Sequence, residues 1–284
     1  MFLRKFGFCL GLLVALATPV WAAGHLPLID AGEGPTADRL SFLSSYSDEF
    51  EGDRLNTAKW SSEAAPYGGQ SWSADNVAVG DGLLRLTARN EPKRIHGDFY
   101  PYTAGCACTK AAPVQYGYFE SRLKGAPLFP GVCPAFWAFR RDNSARLWTE
   151  IDFVELTQAS YGSIGSPRRI DATLHVMRFP GRPEINVQNQ IEDQQYHTAD
   201  FDPRQDFHVY GCWWTKNSVS WYLDGKRIFH RDQNQYWHQP LDVVCTIEIR
   251  PPLDKEPTPK GFPTTAEFDY VRVWKVSDPP TSSR

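Results

Sequence analysis

Apolar and polar residues alternate in short runs along most of the chain, with the period of two that a half-buried β-strand requires. Strands are predicted at Asn76 to Val79, Leu83 to Ala88, Gly117 to Lys124, Ala135 to Phe139, Trp148 to Leu156, Ala172 to Arg178, Phe207 to Thr215, Ser218 to Leu223, Val243 to Arg250 and Ala266 to Trp274. Gly, Pro, Asn and Asp separate them, and Asp81-Gly82 and Asp224-Gly225 carry the hairpin turn signal. Helical periodicity is nearly absent and no internal repeat is evident. Many strands with short turns and no interleaved helices imply an all-β sandwich of antiparallel sheets rather than a parallel α/β fold. Phe50 and Trp60 near the start, and Phe268, Tyr270, Val271, Val273 and Trp274 near the end, are placed on strands that close the sheets beside each other.

One strand breaks the pattern. Trp148 to Leu156 sets Glu150, Asp152 and Glu155 among Ile151, Phe153, Val154 and Leu156, and carboxylates are rare in buried strands. Alternation puts Glu150 and Asp152 on one face and sends Glu155 to the other. A β-bulge at Phe153-Val154 would reset the parity and gather all three acids on one face. Glu150 and Glu155 would then be on the order of 13 Å apart at the backbone, a gap that curvature and two long side chains can narrow. Carboxyl groups about 5 Å apart suit a retaining glycosidase, one as nucleophile and one as acid/base. The plain alternative is an edge strand with solvated acids, which would have no need of Ile, Phe, Val and Leu beneath it.

Residues 1–22 read as a signal peptide: Arg4 and Lys5 precede an apolar run from Phe6 to Leu16, and Val20-Trp21-Ala22 offers a cleavage site. That run is shorter than the roughly 20 residues a membrane span needs. A secreted or periplasmic protein with no membrane association after cleavage is therefore expected. Losing Arg4 and Lys5 moves the formal charge from -3 to -5, and this mild acidity argues against nucleic-acid binding. Residues 23–40 are rich in Gly, Pro and polar side chains and read as a leader or linker, residues 41–276 as the functional domain, and residues 277–284 as a disordered tail.

Cys106, Cys108, Cys133, Cys212 and Cys245 remain after cleavage, an odd number that allows at most two disulfides. Cys106 and Cys108 are read as a loop thiol and a disulfide partner, since no second pair or His cluster accompanies them as a metal site would require. No metal and no cofactor are expected.

Aromatic residues make up 14% of the chain, with ten Trp, a surplus that suits stacking on sugar faces. Groove candidates are Trp72, Trp137, Trp148, Trp213 and the pair Tyr236-Trp237, with Trp148 favoured because it shares parity with Glu150 and Asp152; Trp60, Trp221 and Trp274 are assigned to the core. His175 follows on a strand that can pair with the acid strand, where it would tune the acids or serve as a satisfied core histidine. Arg140, Arg141, Arg146, Arg168, Arg169, Arg178, Arg182 and Arg250 collect in segments flanking the acid strand. In an acidic protein this points to an anionic substrate, and Arg250 and Arg146 are the candidate anion ligands. The phosphate-loop, dinucleotide, serine-elbow and zinc-protease motifs are absent.

Glu150-Ile-Asp152-Phe-Val-Glu155 has the E-x-D-x-x-E signature of glycoside hydrolase family 16 in its bulged form. Tyr116 to Gly125, Phe129 to Trp137, Asp206 to Cys212, Trp221 to Gly225, Tyr236 to Pro240 and Asp269 to Trp274 resemble the κ-carrageenase and furcellaran-cleaving branch of that family. The resemblance runs across most of residues 46 to 275. It implies a β-jelly roll of two curved antiparallel sheets with the substrate groove on the concave face. Glu150 would be the nucleophile, Glu155 the acid/base, Asp152 the partner that tunes the nucleophile, His175 the adjoining-strand histidine and Arg250 a sulfate ligand. A structural calcium occurs in the family, but no ligand set is assigned here.

The expected function is endo-acting, retaining hydrolysis of β-1,4 linkages in a sulfated red-algal galactan, κ-carrageenan or the hybrid β/κ type, furcellaran, by a monomer. An agarase or porphyranase and a non-catalytic polysaccharide-binding sandwich are the alternatives. The segments Arg140 to Trp148, Ser160 to Ile170 and Arg178 to Tyr196 differ from the branch and would wall the groove.

Overall fold

Two antiparallel sheets carry the chain. The computed structural model describes residues 25–64, 69–144, 146–157, 159–160, 163–178 and 190–277, so the expected signal peptide, most of the tail, and Arg182 lie outside the described residues. The back sheet is built from β1 (Leu40–Phe42), β3 (Val77–Gly80), β4 (Leu83–Ala88), β6 (Gly117–Lys124), β11 (His208–Trp214), β12 (Ser218–Leu223), β13 (Lys226–Asp232) and β15 (Thr264–Val276). Its order is β13-β12-β11-β6-β15-β4-β3, with β1 pairing on β15. The groove sheet is built from β2 (Trp60–Ser61), β5 (Cys106–Thr109), β7 (Val132–Asp142), β8 (Leu147–Glu155), β9 (Arg169–Arg178), β10 (Gln190–Thr198) and β14 (Asp242–Ile249). Its order is β10-β9-β8-β7-β14-β5-β2. This is the antiparallel sandwich expected from the alternation, in the jelly-roll form that the family resemblance implies.

The inward side chains of both sheets form one core: Leu84, Leu86, Phe119, Phe136, Ile151, Leu174, Trp214, Trp221, Val243, Ile247 and Phe268 are all buried in it. The predicted hairpins are present. Asp81 and Gly82 have φ of 56° and 72°, and Asp224 and Gly225 have 48° and 86°, the positive-φ pair of a type I′ turn.

Residues 25 to 36 do not behave as a free linker. They lie across the outer face of the back sheet, where the Leu28 amide donates to Glu120 Oε2 at 2.7 Å, Trp274 Nε1 donates to the His25 carbonyl at 2.9 Å and the Tyr222 hydroxyl donates to the Glu33 carbonyl at 2.7 Å. Tyr118, Tyr222 and Trp274 are buried beneath this segment in a second apolar cluster. Trp274 is thus covered as expected, by the leader rather than by the other sheet.

Candidate active site

The central strands β7, β8 and β14 of the groove sheet turn every other side chain outward, and those side chains line a groove of about 540 Å³. From β7 come Ala135, Trp137, Phe139 and Arg141; from β8 Trp148, Glu150, Asp152 and Glu155; from β14 Val244, Thr246 and Glu248, with Arg250 just beyond its end. Trp72, Cys106, Cys108 and Met177 complete much of the wall.

The bulge that the acid spacing predicts is present. On the β7 side Trp137 faces Asp152 and Phe136 faces Val154, leaving Phe153 as the extra residue. Phe153 and Val154 consequently both pack into the core, and Glu155 returns to the groove beside Glu150 and Asp152. One inserted residue restores the parity that simple alternation would have broken.

Glu150 and Asp152 share His175 as a partner, and Glu155 has a set of its own. Trp148 Nε1 donates to Glu150 Oε2 at 2.8 Å. His175, directly opposite Glu150 on β9, brings Nε2 within 3.6 Å of Glu150 Oε1 and 3.1 Å of Asp152 Oδ2. Burial, and next the charge of Asp152, push the Glu150 carboxyl well above the usual carboxylate range, while His175 and the Trp148 indole oppose them. Glu155 receives Arg250 Nη2 at 3.0 Å and the Thr173 hydroxyl at 3.3 Å, and the Cys133 thiol lies 3.8 Å from it. Arg250 Nη2 also contacts Glu248 at 2.6 Å. Glu248 in turn accepts from Thr246, and Thr246 accepts from the Trp137 indole at 3.1 Å. Glu150, Asp152 and His175 each offer a ligand atom within 4.8 Å of the others, close enough to hold a cation.

The floor is aromatic. Trp137 stacks on Phe139 and Phe139 on Trp148, with centroids 4.8 Å apart in both pairs and interplanar angles of 26° and 23°. This flat run extends from the acids along β7 and β8, the shape on which a sugar face can stack.

Of the residues singled out in the sequence, Glu150, Asp152, Glu155, Trp72, Trp137, Trp148 and Arg250 meet in the groove, and His175 supports the acids from the neighbouring strand. Three expected positions are corrected. Trp237 is fully buried between the sheets, where its indole donates to the His175 carbonyl at 3.0 Å. Trp213 lies on the outer face of the back sheet, near Arg39. Arg146 is exposed in the turn between β7 and β8 with φ of 52° and does not line the groove; Arg141, two strand steps beyond Phe139, does. The five cysteines of the described residues are free, and the Cys106-Cys108 pair, expected as a loop thiol and a disulfide partner, lies on β5. Phe139, Thr246 and Glu248 were missed, although their parity with Trp137 and Arg250 on predicted strands was visible.

Fold and site together define a two-sheet β-sandwich whose one sheet carries a groove with a carboxylate triplet and an aromatic floor. The family description "Beta-porphyranase A-D, GH16 domain" matches residues 41–276, and the chain belongs to glycoside hydrolase family 16. The κ-carrageenase of Pseudoalteromonas carrageenovora is 36% identical over 259 residues, covering 80% of this chain. A glucan endo-1,3-β-glucosidase A1 of Niallia circulans is 29% identical. The chain spans 63% and 37% of the lengths of these two relatives. β-Porphyranase B of Phocaeicola plebeius is 27% identical, covering 86% of this chain and 87% of the relative. Among solved structures, the P. carrageenovora κ-carrageenase in complex with a κ-carrageenan oligotetrasaccharide superposes with a TM-score of 0.74 at 31% identity, covering 87% of this chain and 97% of the other.

Proposed function

We propose that the protein is an exported, monomeric, endo-acting and retaining hydrolase of β-1,4 linkages in a sulfated galactan of the κ-carrageenan or furcellaran type. The observation that carries this reading is the bulge at Phe153, which gathers Glu150, Asp152 and Glu155 on the floor of an aromatic groove flanked by Arg141 and Arg250. Glu150 attacks the anomeric carbon as a carboxylate held by the Trp148 N–H. Burial and the Asp152 charge favour a proton on Glu150, and His175 and the Trp148 indole oppose them. Glu155 donates a proton to the leaving oxygen and then takes one from water, which opens the covalent intermediate. Arg250 reaches both Glu155 and the open groove, so a sulfate on the sugar beside the cleaved bond would meet a guanidinium already oriented by Glu248.

Replacing Glu150 with Ala is expected to reduce reducing-sugar release more than about a thousandfold, because a covalent catalyst contributes several kcal/mol to the barrier. Larger residual turnover would exclude the nucleophile role. The match to the porphyranase family description supports a second reading in which porphyran, another galactan, is the substrate. Parallel digestion of κ-carrageenan, furcellaran, agarose and porphyran separates the two. Activity confined to neutral agarose would defeat the sulfate role of Arg250, and no activity on any of the four would leave the non-catalytic binding alternative.

A further inference from the structure

The groove contains two thiols that hydrolysis does not use. Cys106 and Cys108 occupy alternate positions of β5, both line the groove and both are free. Cys106 is fully buried, whereas Cys108 is partly open and packs beside the cluster formed by Trp137 and Val244. The two thiols bias each other's protonation: Cys106 holds the Cys108 thiol below its ordinary range, against burial and the charge of Asp242, and Cys108 together with burial drives Cys106 up. The Ser62 carbonyl, 3.5 Å from Cys106 Sγ, offers an acceptor for the Cys106 proton.

Strand geometry decides what such a pair can do. Residues two apart on a strand are separated by roughly 6.6 Å, with nearly parallel Cα–Cβ bonds. A disulfide wants its Cβ atoms about 3.5–4.5 Å apart. A direct S–S bond would therefore require β5 to buckle, and β5 is paired to β14 on one side and β2 on the other. An atom placed between the sulfurs removes that demand, because two side chains that leave the same face of one strand two residues apart can converge on one cation at about 2.3 Å each. Thiolate is a soft donor and selects soft ions.

We propose that Cys106 and Cys108 form a binding site for one soft, thiophilic cation of low coordination number, of the Cu(I) or Ag(I) class, and that an ion held there obstructs the groove beside Trp137. Binding forms two metal–sulfur bonds and releases the thiol protons to solvent, with no change of oxidation state. The obstruction rests on the glycan-groove reading, but the binding does not.

The test titrates the protein with Ag(I), counts ions per chain by native mass spectrometry and follows polysaccharide hydrolysis in the same samples. One ion per chain is expected, with activity falling in proportion to its binding. The Cys106→Ser/Cys108→Ser double variant is expected to lose that ion. The His175→Ala variant removes the imidazole of the other candidate cation locus and is expected to keep it. Should the double variant not fold, Cys108→Ser alone is expected to lose tight 1:1 binding. Retention of the ion by the serine variants, its loss in the His175 variant, or a Cys106–Cys108 disulfide found by peptide mapping of the purified protein would each overturn the proposal. If the protein proves inactive on every galactan, the ion count still decides whether the site exists.

Discussion

A carboxyl with a second carboxyl two positions along the same strand face carries its charge only with help, and at Glu150 the help and the opposition each come from identifiable neighbours. Burial and Asp152 favour the protonated form; His175 and the Trp148 indole favour the anion. Because kcat/KM reports the titration of the free enzyme, its acid limb should follow these neighbours. His175→Ala removes a group that lowers the Glu150 pKa, so the limb is expected to move to higher pH. Asp152→Asn removes a charge that raises it, so the limb is expected to move to lower pH. Shifts in the same direction, read from a pH–rate profile of each variant, would exclude Glu150 as the group titrated. The acids and His175 were legible in the sequence because parity on one strand and pairing with the next are both short-range properties. Trp237 was not: it sits among Gln235, Tyr236, His238 and Gln239, whose polarity suggests a groove rim, and long-range contacts such as those with the His175 carbonyl and the Trp214 indole place it inside. Arg146 misled for the opposite reason, since nearness in sequence to the acid strand is not nearness to its groove face.

For β8 the decisive property is length. Deleting Phe153 would remove the bulge and turn Glu155 toward the core, whereas Phe153→Ala removes the ring and keeps the residue count. Both lose packing against Phe119 and Phe136, on the order of 3–5 kcal/mol for the alanine change. Only the deletion is expected to abolish hydrolysis at a temperature where circular dichroism shows both variants folded. Equal activity of the two would mean that the bulge does not set the acid geometry. Elsewhere, the strands Leu83–Ala88, Gly117–Lys124 and Ser218–Leu223 were legible to the residue, because Asp81-Gly82, Gly125 and Asp224-Gly225 mark their ends. The edge strands Gln190–Thr198 and Lys226–Asp232 were not. Their compositions, Gln-Ile-Glu-Asp-Gln-Gln-Tyr-His-Thr and Lys-Arg-Ile-Phe-His-Arg-Asp, are those of strands with one free edge, where charge prevents pairing with other chains and hides the period of two. Cys106–Thr109 escaped because small residues give little alternation to read.

Across the whole molecule, the leader and the back sheet share a buried titratable group. Glu120 is fully buried under residues 25 to 36, where burial pushes its carboxyl up to about 7 despite hydrogen bonds from the Leu28 amide and the Tyr270 hydroxyl. The folded protein thus binds this proton more tightly than the unfolded chain does. The resulting stabilisation, about 3 kcal/mol at most, is complete below the ordinary carboxylate pKa of 4.5 and is lost as pH rises through about 7. Glu120→Gln is accordingly expected to flatten the fall in melting temperature between about pH 5 and 8. An unchanged slope in a thermal melt series would show that the group titrates normally. The back sheet has a further property. Its strand β15, residues 264–276, is the partner of β1, β4 and β6 at once, joining the earliest strand of the sheet to its middle. Synthesis delivers the amino-terminal strands first, so these three strands wait without their shared neighbour until residue 276 has left the ribosome. The back sheet therefore cannot close its ladder before residues 264–276 are made, and until then the facing edges of β4 and β6 stay unpaired.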